Sequence, residues 1–165
     1  METRESEPEP VAVEIARLLA ARNLRLVLAE SCTGGLAAGW LAGVPGISEW
    51  WCGSLVTYRI PSKIGWLGLP PSVLEAESDV SPVVSELMAR QALVHTPEAA
   101  IAAAITGHLG PHAPPGQDGV VHSAIARRDG PCDLRTGHLL STSRVSRLHE
   151  ATQFLLCHLR DQLGN

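Results

Sequence analysis

Apolar residues recur at helical spacing from Val11 to Ala20, with Glu14 and Arg17 between them, which predicts a first helix. Leu24 to Leu28 has the alternation and branched content of a short strand. That apolar run ends in Ala29-Glu30-Ser31-Cys32-Thr33-Gly34-Gly35: a carboxylate, three small side chains able to act as nucleophiles, and two glycines. Leu36 to Leu41 predicts a second helix that starts at the glycines and stops near Gly43-Val44-Pro45-Gly46. The aromatic and branched stretch Trp50 to Tyr58 predicts a second strand, and Arg59-Ile60-Pro61-Ser62-Lys63 a turn into a short helix. Leu69-Pro70-Pro71-Ser72 reads as a further turn, and Ser81 and Pro82 as the N-cap and first position of a helix through Leu93. The alanines of Ala99 to Thr106 suit a helix, but the short unbroken apolar run also suits a strand buried on both faces. The polar, turn-rich loop Gly107 to Gly119 behind it favours the strand. Strands are predicted at Val120–Arg127 and Leu134–Leu140, joined at Asp129-Gly130-Pro131. A final amphipathic helix carries Leu148, Thr152, Leu155, Leu156 and Leu159 on one face up to about Leu163. This order predicts an α/β fold: a single three-layer α/β/α domain with a mixed β-sheet.

The 165 residues suffice for one core without metal or disulfide support. The division expected is a flexible segment over residues 1–10, polar, acidic and proline-bearing, followed by one domain over 11–165. That start is unlike a signal peptide and no apolar run reaches spanning length, so a soluble cytoplasmic chain without membrane partners is expected. A net charge of −4 without any Lys/Arg cluster argues against a nucleic-acid partner, since phosphate neutralisation needs concentrated positive charge. One phosphate group is a different matter, because a helix N-terminus or one basic side chain holds it locally. Cys32, Cys52, Cys132 and Cys157 form no C-x-x-C pair and read as reduced thiols. Trp40, Trp50, Trp51 and Trp66 read as core side chains, with an interface as the other role open to them.

Candidate chemistry gathers where predicted strands end: Ser31 after the first, Tyr58 with Lys63 after the second, Thr106 after the third. In open α/β sheets, ligands collect at those ends. A serine attacks an amide only when a base takes its proton, and a desolvated lysine with lowered pKa serves as that base. Two roles stay open for each residue on spacing alone. Ser31 or Thr33 caps the second helix or reacts, Lys63 is a solvated charge or a base, and Thr106 is a turn hydroxyl or lines a site. His108 and His112 are four apart, but glycine and proline between them preclude a helical metal pair. His122, on a strand, reads as a partnered structural residue.

Several stretches together resemble the CinA C-terminal-domain proteins, which include the nicotinamide mononucleotide deamidases. They are AESCTGGLAA (Ala29–Ala38), VPGIS (Val44–Ser48), GSLVTY (Gly53–Tyr58) with Lys63 five residues on, LGLP (Leu67–Pro70), DVSPVV (Asp79–Val84) and ITGHLGP (Ile105–Pro111). The resemblance implies metal-independent hydrolysis of the carboxamide of nicotinamide mononucleotide, with no cofactor, by a homo-oligomer. It implies Ser31 as nucleophile, Lys63 as base and Tyr58 as their hydrogen-bonding partner. The implied substrate contacts are Glu30, Cys32, Thr33, Gly34 and Gly35 in the turn, Thr106 and Gly107 after the third strand, and Arg144 before the last helix. N–H groups from Thr33 to Gly35 are expected to hold either an oxyanion or the substrate phosphate. Relatives usually carry Ser-Asn-Glu-Ala where this chain has Arg59-Ile60-Pro61-Ser62. Their loop after Thr-Gly runs Ile-Ala-Gly-Pro where this one runs His108 to Pro115, and His122 stands in place of an aromatic. Three readings follow: a nicotinamide-nucleotide amidase, a weakly active member that binds a nucleotide or a protein partner, and a Ser-Lys hydrolase of another amide.

Overall fold

A computed structural model describes residues 7–165. Of the segment 1–10 expected to be flexible, residues 1–6 lie outside the described residues, and helix α1 (Pro10–Arg22) begins at Pro10. Then follow β1 (Leu26–Glu30), α2 (Leu36–Ala42), a 3₁₀ turn (Ile47–Glu49), β2 (Trp51–Val56), α3 (Ile60–Gly65), α4 (Pro71–Glu77) and α5 (Pro82–His95). The chain closes with β3 (Ile101–Gly107), β4 (Val120–Arg127), β5 (Cys132–His138) and α6 (Arg144–Gly164). The sheet order is β2-β1-β3-β4-β5. Strand β1 runs parallel to both β2 and β3, whereas β3, β4 and β5 are joined antiparallel. This is the mixed sheet of a single α/β domain.

Side-chain alternation divides the core between two faces. Leu26 and Leu28 of β1, with Ile101, Ala103 and Ile105 of β3, pack under α1, α2 and α6. Val27 and Ala29, with Ala102 and Ala104, pack under α4 and α5. Alanine is what the second face requires, because α5 lies close over β3 and β4 and a larger side chain would hold it off. Among the described residues no helix is long and apolar enough to cross a membrane. All four cysteines are free.

Three expectations change. Strand β1 starts and ends two residues later than predicted. Asn23 adopts a left-handed conformation at φ 52° and closes α1, and Leu24 N–H donates to Leu19 O, so Leu24 belongs to the helix end. At the other end Ala29 and Glu30 pair with β2 and β3 and belong to the strand. The predicted turn Leu69–Ser72 is the start of α4: Pro71 occupies its first position, where a missing N–H has no cost, as Pro10 and Pro82 do in α1 and α5. Trp66 is 66% exposed, whereas the other three tryptophans are half-buried against the first core face.

Candidate active site

The same alternation that splits the core aims the residues of the first turn. Glu30 continues the face of Leu26 and Leu28, and Ser31 continues the face of Val27 and Ala29. Glu30 is therefore driven under the N-terminus of α2, fully buried, where its carboxylate accepts five hydrogen bonds. Thr33 Oγ1 donates at 2.7 Å, Gly35 N at 3.1 Å and Ala37 N at 3.2 Å to one oxygen; Ala38 N at 3.0 Å and Ser54 Oγ at 2.9 Å donate to the other. An internal anion thus fills the site that a helix N-terminus offers to ligands. Gly34 and Gly35, at φ 59° and 98°, let the backbone wrap that carboxylate closely.

This corrects the expectation for Glu30, Thr33 and the N–H groups of the turn: Glu30 and Thr33 bond each other, and the Gly35, Ala37 and Ala38 amides are satisfied. Gly34 N donates to Ser31 O and Ser31 N to Ile105 O. Cys32 N and Thr33 N are the turn's remaining donors, lying against the Cys32 sulfur. Burial pushes the Cys32 thiol up to about 12, which leaves it protonated and unreactive at neutral pH.

On the other face Ser31 meets Lys63. Helix α3 is short and starts where Ser62 Oγ accepts from Arg59 N at 3.1 Å and donates to Arg59 O at 2.7 Å. Its last turn carries Lys63 inward until the side chain is fully buried, with Nζ 3.0 Å from Ser31 Oγ. Desolvation lowers the Lys63 pKa from 10.5; Asp79 opposes it through space. Among the described residues no carboxylate lies within ion-pair distance of Nζ. A buried amine with one hydroxyl neighbour and no counter-ion favours its neutral form, the form that accepts a proton.

Ser31 and Cys32 open onto a cleft of about 220 Å³, walled by Tyr58, Asp79, Val80, Arg144 and residues 107–113. Tyr58 stands at its rim, half-exposed; its hydroxyl accepts from an Arg144 terminal nitrogen at 2.6 Å, and the other terminal nitrogen donates to Gly110 O. The expected Tyr58 bond to the Ser31–Lys63 pair is therefore replaced by one to Arg144, at the opposite end of the chain's order. Arg147 binds both Asp118 oxygens, at 2.7 and 2.8 Å, and so ties the 108–119 loop to α6 as a fixed wall.

Thr106 does not line the cleft. It alternates onto the α5 face, fully buried, where its hydroxyl is 2.9 Å from that of Ser85, itself 3.0 Å from the carbonyls of Ser81 and His122. Gly107 does line it. His122 is partnered as expected, with Nδ1 2.9 Å from Thr136 Oγ1. Among the described residues no group of three or more His, Cys, Asp and Glu side chains forms a metal-ligating set. Asp79 and Ser54 escaped sequence reasoning: Asp79 sits in a connection between two helices, and Ser54 on a strand read for its apolar content.

The family model for the CinA C-terminal domain matches residues 8–163. Among curated relatives, a CinA-like protein of Geobacter sulfurreducens is 40% identical over 126 residues, 74% of this chain and 30% of that protein. A CinA-like protein of Geobacter metallireducens is 37% identical over 132 residues, 79% of this chain and 32% of that one. The chain spans less than a third of the length of the curated relatives it matches. Among solved structures, the competence damage-inducible protein A (ComA) of Klebsiella pneumoniae superposes with a TM-score of 0.90 at 27% identity, covering 97% of this chain and 99% of that one. A competence-damaged protein (CinA) superfamily protein of Escherichia coli gives 0.85 at 30% identity, covering 92% and 87%.

Proposed function

The chain belongs to the CinA C-terminal domain family, and from that premise we propose that it is a Ser-Lys amidohydrolase that converts the carboxamide of nicotinamide mononucleotide to the carboxylate with release of ammonia. The observation that carries this reading is the buried Lys63 Nζ at 3.0 Å from the Oγ of Ser31, which itself lines the cleft. Neutral Lys63 takes the Ser31 proton as Oγ adds to the carboxamide carbon, and the protonated amine then returns it to the departing nitrogen, leaving an acyl-serine and ammonia. Water, deprotonated by the same lysine, attacks the acyl carbon and releases the acid and free Ser31. Cys32 N–H and Thr33 N–H, which have no backbone acceptor and lie against the Cys32 sulfur, are the turn's donors for the oxyanion. Arg144, at the rim with Tyr58, is the group for the phosphate end. The proton and acyl transfers so written pass only through Ser31, Lys63 and water.

The test is ammonia release from nicotinamide mononucleotide by the wild type, Ser31→Ala and Lys63→Met. Each substitution should lower turnover by roughly a thousandfold or more. Lys63→Met keeps the side-chain volume and removes a buried polar head, so its melting temperature should equal or exceed the wild type's. Equal, negligible release from all three proteins sinks the amidase reading, and thermal stabilisation by the nucleotide without ammonia release points instead to a binding protein.

A further inference from the structure

The hydrolysis written above leaves one charged group of the same cleft without a role. Asp79 lies between α4 and α5, half-buried, and lines the cleft together with Ser31 and Tyr58. Among the described residues its carboxylate makes no hydrogen bond and no ion pair. Its influence on Lys63 is through space and favours the protonated amine, the wrong form for a base. A carboxylate placed there hinders the chemistry unless something positive joins it when substrate is bound. Arg144 is not that group. It is anchored at the rim by Tyr58 and the Gly110 carbonyl and, among the described residues, makes no ion pair with Asp79. The cleft is therefore polarised, negative at the reacting end and positive at the mouth.

We propose that Asp79 is a specificity-determining residue of this cleft: its carboxylate receives a cationic ring that bears the scissile carboxamide, while the anionic end of the substrate lies toward Arg144. The assignment rests on the amidase reading for its choice of amide and names the feature of the substrate that this chain recognises. A pyridinium nucleotide has that distribution, a ring-delocalised positive charge beside the carboxamide and a phosphate at the far end. Two consequences follow. Neutral-ring amides of the same shape leave Asp79 facing an uncharged group and bind more weakly. A bound cation also cancels the pull of Asp79 on the Lys63 proton, so the neutral base is favoured further in the complex.

Binding of nicotinamide mononucleotide and of its reduced dihydropyridine form, which keeps amide, ribose and phosphate but has no ring charge, separates these effects from turnover. In a Ser31→Ala background, calorimetry should give at least about tenfold tighter binding of the charged ring. Adding Asp79→Asn should erase that preference with little effect on the reduced form, and adding Asp79→Glu should restore it. Binding of neither form, or a preference unchanged by Asp79→Asn, overturns the assignment. If Asp79 served only to adjust Lys63, Asp79→Asn would move the acid limb of kcat/KM to lower pH with the preference intact, and that result also overturns it. A preference that depends on Asp79 in a protein that releases no ammonia upholds the charge recognition and ends the amidase reading.

Discussion

At the scale of single residues, Glu30 and Ser31 are neighbours with opposite fates, set by the two-residue period of a strand. One carboxylate holds three backbone amides and the Thr33 hydroxyl at the α2 N-terminus, together with the Ser54 hydroxyl of β2, and so fixes the turn from which Ser31 projects. Glu30→Gln keeps the shape but turns one acceptor oxygen into a donor facing other donors. We expect a loss of about 2–4 kcal/mol of stability in denaturant titration. Ammonia release should fall with it, because Ser31 loses its register to Lys63. An unchanged denaturation midpoint would show that the turn is held by something other than this carboxylate. Lys63 illustrates the complementary case: its lowered pKa comes from burial beside one hydroxyl, and the sequence around it, with a charged Arg59 and polar Ser62, has no mark of burial.

At the scale of elements, the site is made where β1 and β3 end side by side. Gly107, the last residue of β3, has no room for a side chain. A Cβ there would stand 2.5 Å from Val121 Cγ1, 3.1 Å from Val120 O and 3.2 Å from Cys32 Sγ. The constraint joins β4, β3 and the Ser31-Cys32 turn at one point. Gly107→Ala should cost about 1–3 kcal/mol through overpacking and shift Cys32, with Ser31 beside it. Thermal melting measures the first effect, and kcat for ammonia release the second. Retention of both would mean that β4 gives way at Val121. Helix α4 is the element whose sequence misleads, since the proline pair before it has the signature of a turn and also that of a helix start. Only the room left by α5 and the sheet decides between them.

At the scale of the molecule, the two halves of the sheet divide the labour. The parallel strands β2, β1 and β3 present their carboxyl ends to the cleft, and the antiparallel β3-β4-β5 with α6 supports it from behind. Deep in that support His158 of α6 lies fully buried between Ser123 of β4, 2.7 Å from Nδ1, and Asp133 of β5, 2.7 Å from Nε2. Burial lowers the His158 pKa, against the opposing pull of Asp133, and burial lowers that of His122 as well. A depressed pKa in the folded state means that the unfolded chain takes up the proton first. Stability is then complete above the ordinary histidine value of 6.5 and declines as pH falls below it. Melting temperatures at pH 7.5 and 5.5 should show this decline. His158→Gln should be less stable at pH 7.5 and less sensitive to acid; equal sensitivity in both proteins would assign the decline to other groups.

The class of fold was legible in the amino-acid sequence alone, and so was the turn at which a candidate site is built. Periodicity is local, so most strands and helices lie within a few residues of their predicted bounds, and the Glu-Ser-Cys-Thr-Gly-Gly turn stands out by its residue types, whereas Lys63, a solvated charge or a base on spacing alone, is singled out as the base only through the resemblance to CinA C-terminal-domain proteins. The sequence did not determine which members of that turn face the cleft. Direction alternates along a strand, and a shift of two residues in the ends of β1 placed Glu30 inside the ladder, where helix α2 consumes its carboxylate. Nor did it distinguish Thr106, which turns its hydroxyl to Ser85, from Gly107, which lines the site. The proximity of Lys63 to Ser31, the bond between Tyr58 and Arg144 and the unpartnered Asp79 join positions 32, 86 and tens of residues apart. Contacts of that range are decided only when the sheet brings its strand ends together, because no local pattern encodes which distant side chains a folded chain will bring into one cleft.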